Sequence, residues 1–367
     1  MRSPRAAIGL LAAVLAVTLA GCGGPSGPAG AGGTAGSSGG LASDAALPTQ
    51  VPTGTSLVIA DQAEYQQVAL RESGELAKLP FTAEFANFVG GPAILEAFRA
   101  GAADVAWVGD TPPIHALVAG EDVPIIFARQ SRPESTQLAV TPGRPIRHLA
   151  DLRGAKIAYA EGTAQQVAVL RALEKAGLRT SDVRLVRLQL DDFNDAVRTG
   201  QVDVASLNEP RLTRFLAEAA PRGGGVIDPV ETADTSSGLN YLYARRTVLA
   251  DPAKAAALRA YVEHFLRSQE WVNNHPAEWV QGYYVRNQGI TAADGQRIVD
   301  SLGRFSFPRL DAALVQRQQT SIDVIDRAGE LPRRVTAADG FDTRFDQVIV
   351  DTVAATAQPE PAGGGGR

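Results

Sequence analysis

From Ser56 onward the chain alternates short apolar runs with stretches whose apolar positions recur at helical spacing. "SLVIA", "DVAWVG" and "VPIIFARQ" are brief, rich in β-branched residues, and bounded by Gly, Asp or Pro. Between the first two lies "PAILEAFRAG", which has helical periodicity. Strands alternating with helices predict α/β units and a largely parallel sheet. Pro92 suits the first helical position and Gly101 the left-handed stop after the helix.

The same grammar restarts at "DLRGAKIAYAEGTAQQVAVLRALEKAG". A strand over Lys156–Tyr159 passes through Glu161, Gly162 and Thr163 into a helix closed by Gly177. "LNYLYARR" then predicts a further strand, and the chain is helix-rich to about Val350. Two stretches repeat at a constant offset of 99 positions: Glu96, Ala97, Arg99, Gly101, Asp104, Val105, Ala106 and Asp110 correspond to Asp195, Ala196, Arg198, Gly200, Asp203, Val204, Ala205 and Glu209. Chance agreement between two helix–glycine–strand units is one reading. The other is two lobes of the same local topology. Ligands of open α/β sheets gather beyond the carboxyl ends of strands, so the turns after "DVAWV" and "DVASL" would then face one shared cleft.

The N-terminal pattern is different. Arg2 and Arg5 precede an uncharged run from Ala6 to Ala20, too short to favour a spanning helix but suited to a signal-peptide core. It ends in "LAGC", and Cys22 is the only cysteine. A lone cysteine excludes an internal disulfide framework and a cysteine-based zinc cluster. "LAGC" resembles the bacterial lipobox, whose cysteine is acylated, so lipidation of Cys22 and a membrane tether through that lipid are expected. The following Gly, Ser, Ala and Pro tract reads as a flexible linker. Its "GAGGTA" lacks the flanking strand and helix of a nucleotide fingerprint. The net charge is −5, and loss of Arg2 and Arg5 with the leader makes the chain more acidic still. That argues against a nucleic-acid partner. The tail "AQPEPAGGGGR" predicts disorder.

"GGPAILEAFRAGAADVAWVGDTPPIHALVAG", followed by "PIRHLADLRGAKIAYAEGTAQQVAVLRALEKAGL", resembles the aliphatic-sulfonate-binding proteins, within a wider class of taurine, nitrate and thiamine-precursor receptors of ABC importers. The resemblance runs from about Thr55 to Val350, and "GDTPPIHA" is its most specific piece. It implies a type-II periplasmic-binding-protein fold: two α/β lobes joined by two crossing strands, with a ligand cleft between them that closes on its guest. The crossings are expected near Gln137–Thr141 and Asn240–Arg245. The implied organisation is a signal peptide over 1–21, the lipidated cysteine and tether over 22–54, a discontinuous first lobe over 55–139 and 241–350, a second lobe over 140–240, and a disordered tail over 351–367. The family shows Trp-Asp-Pro-Tyr at the second-lobe turn, where this chain has Leu207-Asn208-Glu209-Pro210-Arg211, so the aromatic wall is absent or replaced. Of the family's first-strand ending only Gln62 remains.

A sulfonate stays ionised and must be desolvated without being protonated. Helix N-termini suit it because their first N–H groups lack intrahelical partners and carry the positive end of the macrodipole. Four candidate starts follow predicted strands: Gly90-Gly91-Pro92, Gly109-Asp110-Thr111-Pro112, Glu161-Gly162-Thr163 and Asn208-Glu209-Pro210. The candidate ligand-binding residues are therefore Gln62, Gly90, Gly91, Asp110, Thr111, Gly162, Thr163, Asn208 and Glu209. A carboxylate repels an anion, so Asp110 and Glu209 either cap helices or hold the ammonium group of a zwitterion. Trp107, Trp271 and Trp279 read as core.

No reacting constellation is visible. His115, His148, His264 and His275 are scattered, neither H-E-x-x-H nor G-x-S-x-G occurs, and the one thiol is assigned to lipid. The expectation is a monomeric, non-enzymatic, lipid-anchored receptor on the outer face of the cytoplasmic membrane or in the periplasm. It would need no cofactor or metal, and would deliver a small anionic or zwitterionic ligand to an ABC permease and its ATPase. A sulfonate leads; nitrate, taurine or a thiamine pyrimidine precursor are the alternatives, as is a lipoprotein that senses or scaffolds without transport.

Overall fold

The computed structural model describes residues 40–357. The expected signal peptide, the Cys22 lipidation site and most of the expected tether lie outside the described residues, as does the end of the tail. Two five-stranded sheets carry the fold. The first contains β1 (Ser56–Asp61), β2 (Thr82–Asn87), β3 (Val105–Gly109) and β4 (Ile125–Gln130). The second contains β5 (Thr136–Val140), β6 (Lys156–Tyr159), β7 (Arg184–Arg187), β8 (Val204–Asn208) and β9 (Gly225–Val226). The last strand, β10 (Leu239–Ala244), returns to the first sheet.

The strand orders are β2-β1-β3-β10-β4 and β7-β6-β8-β5-β9. In each sheet three parallel strands precede one antiparallel strand in fourth place. That strand is supplied by chain arriving from the other sheet: β5 follows β4, and β10 follows β9. The sheets are mixed rather than largely parallel, and the crossings are shifted from expectation. Residues 137–140 and 240–244 lie inside one sheet each, and the passages between sheets fall at 131–135 and 227–238. They are stitched together by the Ser131 N–H donating to the Gly238 carbonyl at 2.9 Å and by Gln130 Nε2 donating to the Ser237 carbonyl at 2.9 Å.

Six helices complete the two α/β units: α1 (Tyr65–Glu72), α2 (Gly90–Arg99), α3 (Pro112–Ala119), α4 (Ala164–Lys175), α5 (Phe193–Thr199) and α6 (Arg211–Ala219). α2 starts two residues before Pro92, which therefore occupies the third helical position; an N–H there has no intrahelical partner, so proline costs little. The repeated segments prove to be equivalent units, α2–β3 and α5–β8. Gly101 and Gly200 both have positive φ, 70° and 81°, a region where a side chain is strained. Asp104 exchanges bonds with Val58 of β1 (N–H to carbonyl 2.8 Å, Val58 N–H to Oδ2 3.0 Å). Asp203 does the same with Lys156 of β6, at 2.8 Å for both.

The first sheet's core packs Leu57, Ile59, Trp107, Phe127 and Tyr241 against Phe265 of the long helix Pro252–Asn274. The second sheet's core includes Leu138, Ile157, Tyr159 and Leu170. The helix Ala312–Arg327 joins the two, with Leu314 in the first core and Ile322 and Ile325 in the second. Each such fully buried side chain contributes roughly 1.5–3 kcal/mol. The expected tether and tail are corrected at their inner ends. Leu47 and Val51 pack on the first core, the Leu41 N–H bonds the Ala250 carbonyl, and a helix over Asp346–Thr356 buries Val348, Ile349 and Thr352. Apolar contact orders these segments despite their small-residue composition. Among the described residues no helix is long and apolar enough to cross a membrane.

Candidate functional site

The carboxyl ends of β1 and β3 and of β6 and β8 converge on a cavity of about 690 Å³ between the two sheets. Its floor is Arg129, near the end of β4, in the run "VPIIFARQ". Apolar residues precede it in the strand, and the arginine itself is only 5% exposed. The charge is held by aromatic faces, with the guanidinium carbon 5.1, 4.8 and 4.0 Å from the ring centroids of Tyr65, Trp107 and Phe305. Its hydrogen bonds go to neutral acceptors: Gln269 Oε1 at 2.7 Å, the Tyr65 hydroxyl, and Asn240 Oδ1 at 3.4 Å. Nε is buried without a partner, and no carboxylate among the described residues pairs with the group. A buried cation lacking a counter-ion is costly, and ring faces offset only about 0.5–2 kcal/mol. The deficit favours an anionic guest.

Of the nine sequence-based candidates the cavity brings together Gln62, Gly90, Gly91, Thr163, Asn208 and Glu209. Asp110, Thr111 and Gly162 are turned away from it. Side chains alternate along a strand: Trp107 and Gly109 line the cavity, while Asp110 points behind it, accepting from Thr111 Oγ1 and Ser321 Oγ at 3.0 Å each. Gly162 lies against Pro92 and His115, its N–H donating to Gln166 Oε1 at 2.9 Å.

The four helix starts are not equivalent. α3 begins Pro112-Pro113, and proline has no N–H to offer. The first turn of α6 is occupied by Glu209, whose Oε2 accepts from the Thr213 N–H at 3.1 Å. The N-cap side chains of α2 and α4, Val89 and Thr163, make no capping bond, and Gly91, Ala164 and Gln165 of their first turns line the cavity. Gln62 is less free than a solvated loop residue: Nε2 donates to the Trp107 carbonyl at 2.8 Å and Oε1 accepts from the Gly90 N–H at 3.1 Å. It fixes the mouth of α2 against β3. Thr163 donates its hydroxyl to the Ala160 carbonyl, and Asn208 accepts from Gln165 Nε2 at 3.1 Å.

The aromatic wall missing from the second lobe is supplied by the first. Tyr65, Trp107, Phe305, Tyr283 and Tyr284 all line the cavity. The last two sit on a π-helical stretch, Val280–Asn287, a geometry concentrated at functional sites. Trp107 is thus both core and cavity wall, Trp279 is core, and Trp271 is instead half-buried, stacked on the His275 ring. Sequence reasoning missed Arg129 and the two tyrosines; the one available signal was a charge inside an otherwise apolar strand.

The lobes touch beside the cavity. His115 Nε2 of α3 bonds Gln166 Oε1 of α4 at 2.9 Å, and burial lowers the imidazole pKa. At the far lip Arg214 donates to the Gln288 carbonyl at 2.7 Å. Burial raises the Glu209 pKa, against the opposing pull of Thr213. Elsewhere, His148, Asp228 and Glu231 could in principle hold a cation. His148 Nδ1 and the Leu149 N–H already engage both Glu231 oxygens, however.

Two lobes, exchanged antiparallel strands and an anion-complementary cleft at the strand ends define a binding-protein architecture. Residues 90–279 match the family described as NMT1/THI5 like, and the chain belongs to that family. It is 33% identical over 159 residues to a putative aliphatic sulfonates-binding protein of Escherichia coli K12, across 43% of this chain and 49% of that one. The match thus spans about half the length of that relative. A protein of the same description from Bacillus subtilis 168 is 25% identical over 293 residues, covering 79% and 83%. Among solved structures, the alkanesulfonate-binding protein SsuA of Xanthomonas axonopodis pv. citri bound to MOPS has a TM-score of 0.68 at 23% identity, covering 81% of this chain and 99% of that one. The fold is that of the periplasmic binding proteins. A more distant neighbour at 14% identity, the desulfurization enzyme DSZB (TM-score 0.59, covering 82% and 99%), shows that the fold also carries catalysis.

Proposed function

We propose that this protein is the extracytoplasmic, Cys22-lipidated substrate-binding component of an ABC importer, that it captures an aliphatic sulfonate or related small oxyanion, and that it delivers it to a permease driven by an ATPase. The observation that carries the reading is Arg129: a guanidinium with no acidic partner among the described residues, buried beneath a cavity that is also lined by the first turns of α2 and α4. Aromatic faces and backbone dipoles desolvate an anion without neutralising the site beforehand. Two relatives named as sulfonate-binding proteins support the same substrate class. Of the nine sequence candidates, Gly90, Gly91 and Thr163 shape the helix mouths, Gln62 positions them, and Asn208 and Glu209 form the opposite wall. Asp110, Thr111 and Gly162 have structural roles. Ligand that prefers the closed arrangement of the lobes would shift the molecule towards it.

The test is a thermal-shift and calorimetric screen against alkanesulfonates, taurine, nitrate and a thiamine pyrimidine precursor. Stabilisation by a sulfonate, lost in Arg129→Gln, is the expected result. Binding that survives in Arg129→Gln, or stabilisation by the uncharged pyrimidine alone, overturns the reading.

A further inference from the structure

Arg129 stays unneutralised because of what packs behind it, and the central group there is Gln269 of the long helix Pro252–Asn274. Gln269 is fully buried. Its Oε1 accepts from Arg129 Nη1 at 2.7 Å and from the Tyr65 hydroxyl at 2.6 Å, while that hydroxyl in turn accepts from the same Nη1. The three side chains close a ring of hydrogen bonds. Only the amide oxygen can face the guanidinium, which has donors and no acceptor. Nε2 is accordingly turned to Ser268 Oγ, at 3.3 Å. Both acceptors of Nη1 are neutral, since burial raises the Tyr65 pKa against the pull of the arginine beside it. The next residue of the helix is an acid, Glu270, but it pairs with the exposed Arg304 at 2.8 Å. A carboxylate one position earlier would reach Arg129, cancel its charge and compete with any anionic guest. An amide of the same shape fixes Nη1 and leaves the charge for the ligand.

We propose that Gln269 is a positioning residue that orients Arg129, and that its lack of charge is the condition for anion capture. This rests on the anion-binding reading above and names the residue that keeps the site open to an anion. The empty protein is less stable than it would be with a counter-ion at that position, an exchange of stability for function.

The experiment compares wild type with Gln269→Glu and Gln269→Met. Melting temperature is read without ligand, and affinity for ethanesulfonate, octanesulfonate, taurine and nitrate by calorimetry. Gln269→Glu should melt about 2 °C or more above wild type, and should bind whichever of these anions the wild type binds more than roughly tenfold more weakly. Its gain in melting temperature should vanish in an Arg129→Gln background. Gln269→Met, close in volume but without the acceptor, should lose affinity with no such gain. A glutamine that merely satisfied its buried neighbours would give parallel losses in both variants. Gln269→Glu melting at or below wild type, binding within tenfold of it, or keeping its gain in Arg129→Gln therefore overturns the proposal and leaves the anion reading standing. Failure of the wild type to bind any of the four anions overturns the anion reading and the proposal with it.

Discussion

The α2–β3 unit of the first lobe and the α5–β8 unit of the second carry the same short text, and the fold uses half of it identically and half differently. Asp104 and Asp203 play the same part, since each clamps the start of its central strand to the neighbouring strand, donating its backbone N–H to a carbonyl there and accepting that residue's N–H on its carboxylate. Six positions later the units part. Asp110 is sealed behind the sheet by Ser321 and Gln318 of the helix Ala312–Arg327. Glu209 has no such covering helix and faces the cavity. The local fold of a repeat is thus inherited from its own residues, whereas the use of its turn depends on what packs against it.

Substitutions can separate the two units. The largest effect expected is on binding: Arg129→Gln should weaken sulfonate affinity by a hundredfold or more, about 3 kcal/mol or above, read by calorimetry. Restoration by Arg129→Lys is not expected, because ammonium lacks the planar fork that lies between the rings. Next come the paired clamps. Asp104 also binds Arg245 at 2.8 Å and Lys254 at 2.9 Å, so Asp104→Ala strands two cations and should cost roughly 3–5 kcal/mol. Asp203 has one half-exposed cation, Arg144, at 2.7 Å, and Asp203→Ala should cost about 1–3 kcal/mol. Chemical denaturation giving the reverse order would remove the proposed difference between the lobes.

Gly91→Ala is a smaller structural perturbation, yet not a clean probe of ligand contact. A Cβ there would overlap the Pro112 ring and sit 3.1 Å from the Gly162 carbonyl oxygen. We expect a loss of about 1–3 kcal/mol in stability along with any loss of binding.

The smallest effect is at the contact between lobes. Burial lowers the His115 pKa, so the unfolded chain binds the proton more readily. Stability should decline as pH falls below about 6.5, and the difference between wild type and His115→Gln should shrink over the same range. Melting temperatures at pH 5 and pH 8 measure it; a wild type that gains on acidification relative to the variant contradicts the assigned environment. Glu209 carries the opposite sign. Its raised pKa means stability is present below about 4.5 and lost as pH rises through the folded value. Glu209→Gln should therefore gain relative stability at neutral pH in the absence of ligand.

Much of this was legible in the chain. The alternation of apolar runs and helical faces predicted α/β units, and the offset repeat pointed to two equivalent ones. "GDTPPIHA" carried the family resemblance. The candidate helix mouths were placed at the right turns, but their chemistry was not: the two prolines that open α3 have no N–H, a fact present in the sequence, whereas the capping of α6 by Glu209 became visible only in three dimensions. Arg129 escaped because a charge at the end of an apolar strand is usually solvated, and its burial depends on Tyr65, Phe305 and Gln269 from three other segments.

Periodicities, glycine stops and strand-end turns were therefore set in the chain itself, because they follow from interactions among residues a few positions apart. Long-range packing settled which lobe supplies the aromatic wall, where the chain crosses between sheets, and which of two corresponding carboxylates meets the cavity. Those outcomes rest on partners such as Ser321, 211 positions from Asp110, and burial at that range is set by packing of the whole core.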